Sequence, residues 1–167
     1  SLQQRGYISL EIDFRTITKI VAELFRGSGL TTIAIPNWIT EIGDYAFANS
    51  KLVTVSISNS VTKIGAGAFA NNPFKSFIIP NSVNTIGDYA FMNSTQLTSI
   101  AIPDSVFYLG NQVFDGDVSL TSIKLPDNLQ SIGVNVFSRN YSLTRIEYCG
   151  KLAGFPIAPI CPPERQA

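Results

Sequence analysis

The sequence contains no histidine, one tryptophan, one methionine and two cysteines. Without histidine, Ser-His-Asp and Cys-His constellations are excluded, because each needs an imidazole to take the nucleophile's proton. A zinc site, which draws its ligands mainly from cysteine and histidine, lacks donors as well. Charge is scarce too: 14% of residues, against about 25% in an average soluble protein. Twelve basic residues cancel twelve acidic ones, so nothing supplies the positive field that grips nucleic acid or anionic lipid. No apolar run approaches the ~20 residues of a spanning helix, and no membrane insertion is expected. The chain opens at Ser1 with neither Met nor a signal-peptide pattern, and reads as a trimmed or mature fragment.

Apolar residues, by contrast, make up 45% of the chain, and they recur at a fixed spacing. One unit runs from Leu30 through Ile33, Ile35, Pro36, Ile39, Ile42 and Gly43 to Ala46 and Phe47. The same positions return as Leu52 to Phe69, Phe74 to Phe91, Leu97 to Phe114 and Leu120 to Phe137, and Leu143 begins a sixth copy. Starts at 30, 52, 74, 97, 120 and 143 give periods of 22, 22, 23, 23 and 23 residues. A constant period in this range is the mark of a leucine-rich repeat, in which each unit buries its apolar side against its neighbours. Stepping back from the first regular unit lands on Ile17, Ile20 and Phe25, a degenerate copy whose strand half is Ile8 to Ile12. The expected organisation is one repeat domain over 1–167. It divides into a degenerate repeat at 7–29, five regular repeats over 30–142, a C-terminal cap at 143–161 and a proline-rich tail at 162–167.

Each recurring position has a physical reason. The alternation of Ile33-Ala34-Ile35 predicts a half-buried strand, and stacked copies predict a parallel sheet. Pro36, Pro80, Pro103 and Pro126 have no N–H to donate and end that strand, with Ser58 taking the place in a less rigid second copy. Gly43, Gly65, Gly87, Gly110 and Gly133 mark a left-handed or tightly packed backbone. The Ala-Phe pair predicts a short helical turn, and Phe47, Phe69, Phe91, Phe114 and Phe137 are expected to stack as one spine.

The unit L-x-x-I-x-I-P-x-S-V-x-x-I-G-x-x-A-F, closed by Asn49, Asn71 or Asn93, resembles the BspA-type leucine-rich repeat over roughly residues 8–148. That resemblance implies an α/β leucine-rich-repeat solenoid: a right-handed, β-rich coil with its strand ladder on the concave face and short turns or helical turns on the convex face. It also implies a cell-surface or secreted setting and a role in adhesion, and it carries no catalytic residues and no cofactor.

Cys149 and Cys161 both follow the last regular strand. A disulfide between them would pin an irregular segment over the end of the stack and imply an oxidising compartment; two free thiols are the alternative. The tail from Pro162 reads as the start of an extended linker.

No active site emerges. Asp115-Gly116-Asp117 suggests calcium only weakly and reads as a surface loop. Asn93-Ser94-Thr95 and Asn140-Tyr141-Ser142 fit the glycosylation pattern, but both fall at the turn that closes a coil. What remains is surface. The outward strand residues Thr32, Ala34, Thr54, Ser56, Ser76, Ile78, Ser99, Ala101, Ser122, Lys124, Arg145 and Glu147 form a candidate binding face, small and nearly uncharged until its C-terminal edge. Trp38, Phe107 and Tyr108 break the repeat pattern; they are either exposed binding anchors or packing against flanking turns. The expected function is a non-catalytic binding or adhesion module for protein or glycan. The alternative is a structural spacer or self-associating element of a larger surface protein.

Overall fold

The computed structural model describes residues 17–166; the expected first strand, Ile8 to Ile12, lies outside them. The strands in chain order are β1 Lys19–Ile20, β2 Thr32–Ile35, β3 Glu41–Ile42, β4 Thr54–Ile57, β5 Lys63–Ile64, β6 Thr85–Ile86, β7 Ser99–Ala101, β8 Tyr108–Leu109, β9 Ser122–Lys124, β10 Ser131–Ile132 and β11 Arg145–Glu147. Every pairing among them is parallel, and together they make a β-solenoid of about six turns.

The longer strands form the face expected to be concave. Ile33 and Ile35 point into the core while Thr32 and Ala34 point out. β2 pairs β4, and β7, β9 and β11 form a separate three-stranded sheet. The expected unbroken ladder is therefore interrupted at the third coil, where residues 76–79 form no strand. Phe74 and Phe77 stand there in place of the aliphatic residues of other coils. The Phe77 ring sits 4.9 Å from Phe69, 4.8 Å from Phe91 and 5.0 Å from Phe74. A ring of that size at an inward position holds the backbone away from its neighbours, since a close-packed core has no spare volume to absorb it.

The sequence did not foretell a second row of strands. β1, β3, β5, β6, β8 and β10 have two residues each and form one unbroken six-stranded ladder. Their inward residues Ile20, Ile42, Ile64, Ile86 and Leu109 are buried. The glycine column follows directly and allows the coils to approach closely. A Cβ on Gly87 would lie 2.6 Å from the Ala66 nitrogen and 2.8 Å from the Gly65 carbonyl carbon. Of the two roles expected for these glycines, tight packing is the one observed.

The Ala-Phe segment is not helical, which corrects the α/β description. Among the described residues the only helix is a 3-10 turn at Pro163–Arg165. The amides of Tyr45, Phe47 and Asn49 donate instead to the carbonyls of Ala66, Ala68 and Ala70 on the next coil, at 2.7, 2.9 and 2.9 Å. Tyr45 and Asn49 adopt left-handed φ values of 55° and 54°. Asparagine tolerates that conformation better than most residues, which explains why Asn49, Asn71 and Asn93 close their coils. Behind this turn the expected spine is present and gains Phe25. Centroids from Phe25 through Phe47, Phe69, Phe91, Phe114 to Phe137 are 5.3, 5.4, 5.9, 5.7 and 6.1 Å apart, and each pair is stacked.

A polar column runs beside the spine through Ser28, Ser50, Asn72, Ser94, Asp117 and Asn140. Asn72 Nδ2 donates to the Phe47 and Phe69 carbonyls at 2.9 and 3.0 Å, and Asn140 donates to the Phe114 carbonyl at 2.7 Å. Asn140 thus has a structural task at the turn. The surface-loop reading of residues 115–117 is overturned, because Asp115 and Asp117 are both buried. Asp117 accepts the Ser94 amide at 2.8 Å, and its other oxygen has no partner among the described residues. Burial pushes its carboxyl up to about 9. Burial also works to raise Asp115, but hydrogen bonds from Arg139 and Gln112 hold it below the ordinary carboxylate range.

The change of period has one location. Phe47 to Leu52 and Phe69 to Phe74 are five positions apart, whereas Phe91 to Leu97, Phe114 to Leu120 and Phe137 to Leu143 are six. The extra residue lies in the turn leading from the spine to the longer strand.

Cys149 and Cys161 form a disulfide, with Cα atoms 4.8 Å apart. It brings Ile160 beside the last long strand, where the Ile160 amide donates to the Ile146 carbonyl at 2.8 Å and the Tyr148 amide donates back at 3.0 Å. The tail is no extended linker up to Gln166: Pro162 is buried, and Arg165 pairs with Glu147 at 2.6 Å and with Asp127.

Candidate functional site

The outward residues of the long strands come together on one face. Thr32, Ala34, Thr54, Ser56, Ser76, Ile78, Ser99, Ala101, Lys124 and Arg145 are exposed, and Ser122 and Glu147 are half-buried. Ile78 is 82% exposed, the most open large hydrophobic residue among those described. From the third coil onward the face deepens into a groove of about 310 Å³. Ser76, Ser99, Ala101, Ser122, Lys124, Arg145 and Glu147 line it, and Phe77, Ile100 and Ile123 contribute from the core side. Its upper end coincides with the break in the ladder.

Hydrogen bonding differs between this face and the turns beside the short strands. At several other positions of the coil, hydroxyls are committed to main-chain carbonyls. Ser60, Ser82 and Ser105 donate to Ile39, Val61 and Val83 at 2.8, 2.6 and 2.7 Å. Thr62, Thr121 and Thr144 do the same on the preceding coil. Ser58, expected to leave its turn looser than proline, is tied to Ser60 at 2.7 Å and to the Pro36 carbonyl at 3.0 Å. The hydroxyls of Thr32, Thr54, Ser56, Ser76, Ser99 and Ser122 make no hydrogen bond among the described residues.

Charge gathers at the C-terminal edge. Arg165 clamps Glu147, and its hydrogen bond holds the Glu147 carboxyl below the ordinary range. Arg145 lies 3.7 Å from the other Glu147 oxygen. Lys124 makes no ion pair among the described residues. With Glu147 and Asp127 both held by Arg165, the edge presents Lys124 unpaired among the described residues and Arg145 exposed beside Glu147. Arg165 was not legible as part of this site, because nothing local in a proline-rich tail signals that it folds back across 38 residues to Asp127.

The three aromatics do not join the groove. Trp38 is half-buried and packed against the core, where later coils place the carbonyl-bound serines Ser60, Ser82 and Ser105. Phe107 and Tyr108 are 41% and 40% exposed, but they belong to the other ladder. Tyr108 lies on β8, and the Phe107 amide donates to the Asn84 carbonyl at 3.0 Å. Among the described residues no group of three or more His, Cys, Asp or Glu could hold a metal ion, and no helix is long and apolar enough to cross a membrane.

The BspA type leucine rich repeat region matches this chain in six copies, over residues 7–74 and 62–155. No curated protein matches it. Among solved structures, a leucine-rich repeat protein from Bacteroides ovatus is 33% identical with a TM-score of 0.60, covering 78% of this chain and 41% of that one. The pneumococcal vaccine antigen PcpA is 26% identical with a TM-score of 0.62, covering 76% and 32%. The leucine rich repeat protein of T. pallidum, 21% identical with a TM-score of 0.67, covers 83% and 77% and shares the fold. The chain therefore spans less than half the length of the first two.

Proposed function

The chain belongs to the BspA-type leucine-rich-repeat family, and from that premise we propose that it is a non-catalytic binding module of a surface-exposed or secreted protein. It recognises an extended protein or glycan segment along the groove of the long-strand face. The observation that carries this reading is the row of uncommitted hydroxyls from Thr32 to Ser122, gathered on one exposed strand face that deepens into a groove. Repeated hydroxyls at the strand spacing of ~4.8 Å suit a ligand that offers polar groups along its length. Lys124 and Arg145 add donors for an acceptor-rich or anionic group at one end. The groove is open and of mixed polarity, unlike the enclosed apolar pocket of a small-molecule site. Similarity to a vaccine antigen supports the exposed setting, as does a disulfide, which persists in oxidising compartments.

The test is an array of matrix proteins and polysaccharides probed with the whole chain. Ala101→Trp, which fills the groove without touching the core, should abolish any hit, and Lys124→Ala with Arg145→Ala should weaken it at least tenfold. A hit that survives Ala101→Trp at full strength would sink the groove as the site.

A further inference from the structure

The three strands at the C-terminal end of the groove carry their outward residues in register. Ser99, Ser122 and Arg145 lie side by side across β7, β9 and β11, and Ala101, Lys124 and Glu147 form the next row. Lys124 and Glu147 are therefore opposite charges on neighbouring strands, ~4.8 Å apart along the stack. An ion pair would be expected to close between them, yet Lys124 makes none among the described residues. Glu147 Oε1 instead accepts a hydrogen bond from Arg165 at 2.6 Å.

Arg165 reaches this edge from outside the repeat. The segment that carries it leaves β11, is closed by the Cys149–Cys161 disulfide and returns. Its guanidinium then meets Glu147, Asp127 and, at 3.4 Å, the Leu125 carbonyl. Asp127 is fixed further by the Cys149 amide at 2.9 Å. Both carboxylates of the edge are thus turned onto one cation. With Arg165 in place, three positive charges (Lys124, Arg145 and Arg165) face two negative ones; without it, the charges cancel. On the open side, the Ser99 and Ser122 hydroxyls, the Lys124 ammonium and the Arg145 guanidinium line the groove around the small side chain of Ala101. The two hydroxyls make no hydrogen bond among the described residues, so four donors converge where no free carboxylate competes.

Building on the groove reading above, we propose that this end is a subsite for the carboxylate or sulfate groups of an acidic polysaccharide. Arg165 is its positioning residue: it keeps the subsite cationic by holding Glu147 away from Lys124. Charge-assisted hydrogen bonds from Lys124 and Arg145 take the anion, and the serine hydroxyls take its neighbouring oxygens. The repeat favours a glycan over a polypeptide. Outward hydroxyls recur with each coil at ~4.8 Å, whereas an extended peptide advances ~3.3 Å per residue and falls out of phase along the groove. A sugar ring in an extended chain advances by roughly one coil and stays in step.

Titration calorimetry of the full chain with polygalacturonate, dextran sulfate, uncharged dextran and polyglutamate tests this. At least one of the two acidic polysaccharides should bind, more weakly as salt rises, and the tighter of them identifies the anion. Dextran and polyglutamate should bind about tenfold more weakly or not at all. Lys124→Ala should cost about tenfold in affinity and Arg165→Ala about fivefold. Adding Glu147→Gln to Arg165→Ala should restore the parent affinity, because the released carboxylate is then gone; a purely structural role for Arg165 would not be rescued. A parent chain that binds neither acidic polysaccharide overturns the proposal. So does polyglutamate binding as tightly, or an Arg165→Ala loss that Glu147→Gln leaves in place. Ala101→Trp separates this proposal from the groove reading. Acidic-polysaccharide binding that survives it at full strength sinks the groove, whereas binding that it blocks but Arg165→Ala leaves unchanged overturns this proposal alone.

Discussion

The strands of the groove face have three or four residues and the strongest alternation in the sequence, while those on the other side of the coil have two. Yet the short strands pair without a break from Lys19 to Ile132, and the long ones part at the third coil. Continuity follows what lies beneath each row. Under the short strands the glycine column and the stacked phenylalanines repeat with little variation, so every coil meets the next at the same distance. Under the long strands the third coil substitutes two rings for aliphatic residues, and the ladder yields where the volume changes.

That contrast breaks if the two sides respond alike to substitution. Phe69→Ala removes a fully buried ring stacked between Phe47 and Phe91 and should cost about 3–5 kcal/mol in denaturant unfolding. Ala101→Ser on the groove face should fall within about 0.5 kcal/mol of the parent. Equal losses would mean that the spine does not govern the stack.

Removing the disulfide with Cys149→Ser and Cys161→Ser should cost roughly 2–4 kcal/mol, since it closes a loop of 12 residues. The loss should be confined to the groove side. Hydrogen exchange at Ile160 and Tyr148 should accelerate while β10 keeps its protection, and acceleration in both would show that the segment braces the whole end of the stack.

The continuous side has one weak point in Asp117. Its carboxyl titrates near 9 in the folded chain and near 3.9 when unfolded, so the folded state binds the extra proton between those values. Stability from this group is therefore present below about pH 4 and lost as pH rises toward 9. Asp117→Asn should raise stability by about 2 kcal/mol or more at pH 8 and change it little at pH 4. Glu41, held below the ordinary range by its hydrogen bond from Lys19, acts in the opposite sense, losing its contribution on acidification. Thermal melts across this range decide the matter; an equal effect of Asp117→Asn at both pH values would place the charge elsewhere.

Phe77→Ile has a small expected effect on stability and sharpens the contrast most directly. Restoring the aliphatic residue should let residues 76–79 pair with β4 and β7, visible as slower amide exchange there, with a net stability change of about 1 kcal/mol either way. Amides that remain fast would clear the ring of responsibility for the gap.

Much of this architecture could be read from the chain, because the repeat multiplies each signal. The spine and the outward strand residues follow from position within the unit, and the disulfide reading of Cys149 and Cys161 follows from their being the only two cysteines, both past the last regular strand. The second ladder did not, since two residues are too short to display alternation. Asp115 and Asp117 were misread because two aspartates around a glycine resemble a turn by composition, and only the column of Ser94 and Asn140 reveals that they lie inside. Trp38 is ambiguous from sequence, because a residue that departs from its repeat position stands out whether it is exposed or buried. Arg165 was out of reach, because its partners lie in distant coils and no local pattern names them. On the groove, the identity of the outward residues was legible and their free hydroxyls were not, since that depends on which carbonyls lie in range.

The single extra residue carried by the later coils points to where this scaffold has freedom to grow. It enters in the turn between spine and strand, and both ladders stay in register across it. Length is thus unconstrained at one corner of each coil and constrained everywhere else. Foreign segments grafted at Gln96, Ser119 or Ser142 would line up as a row of loops beside the groove, each one replaceable without altering its neighbours. A repeat of this kind diversifies by decorating one seam, while the rest of the coil is copied unchanged.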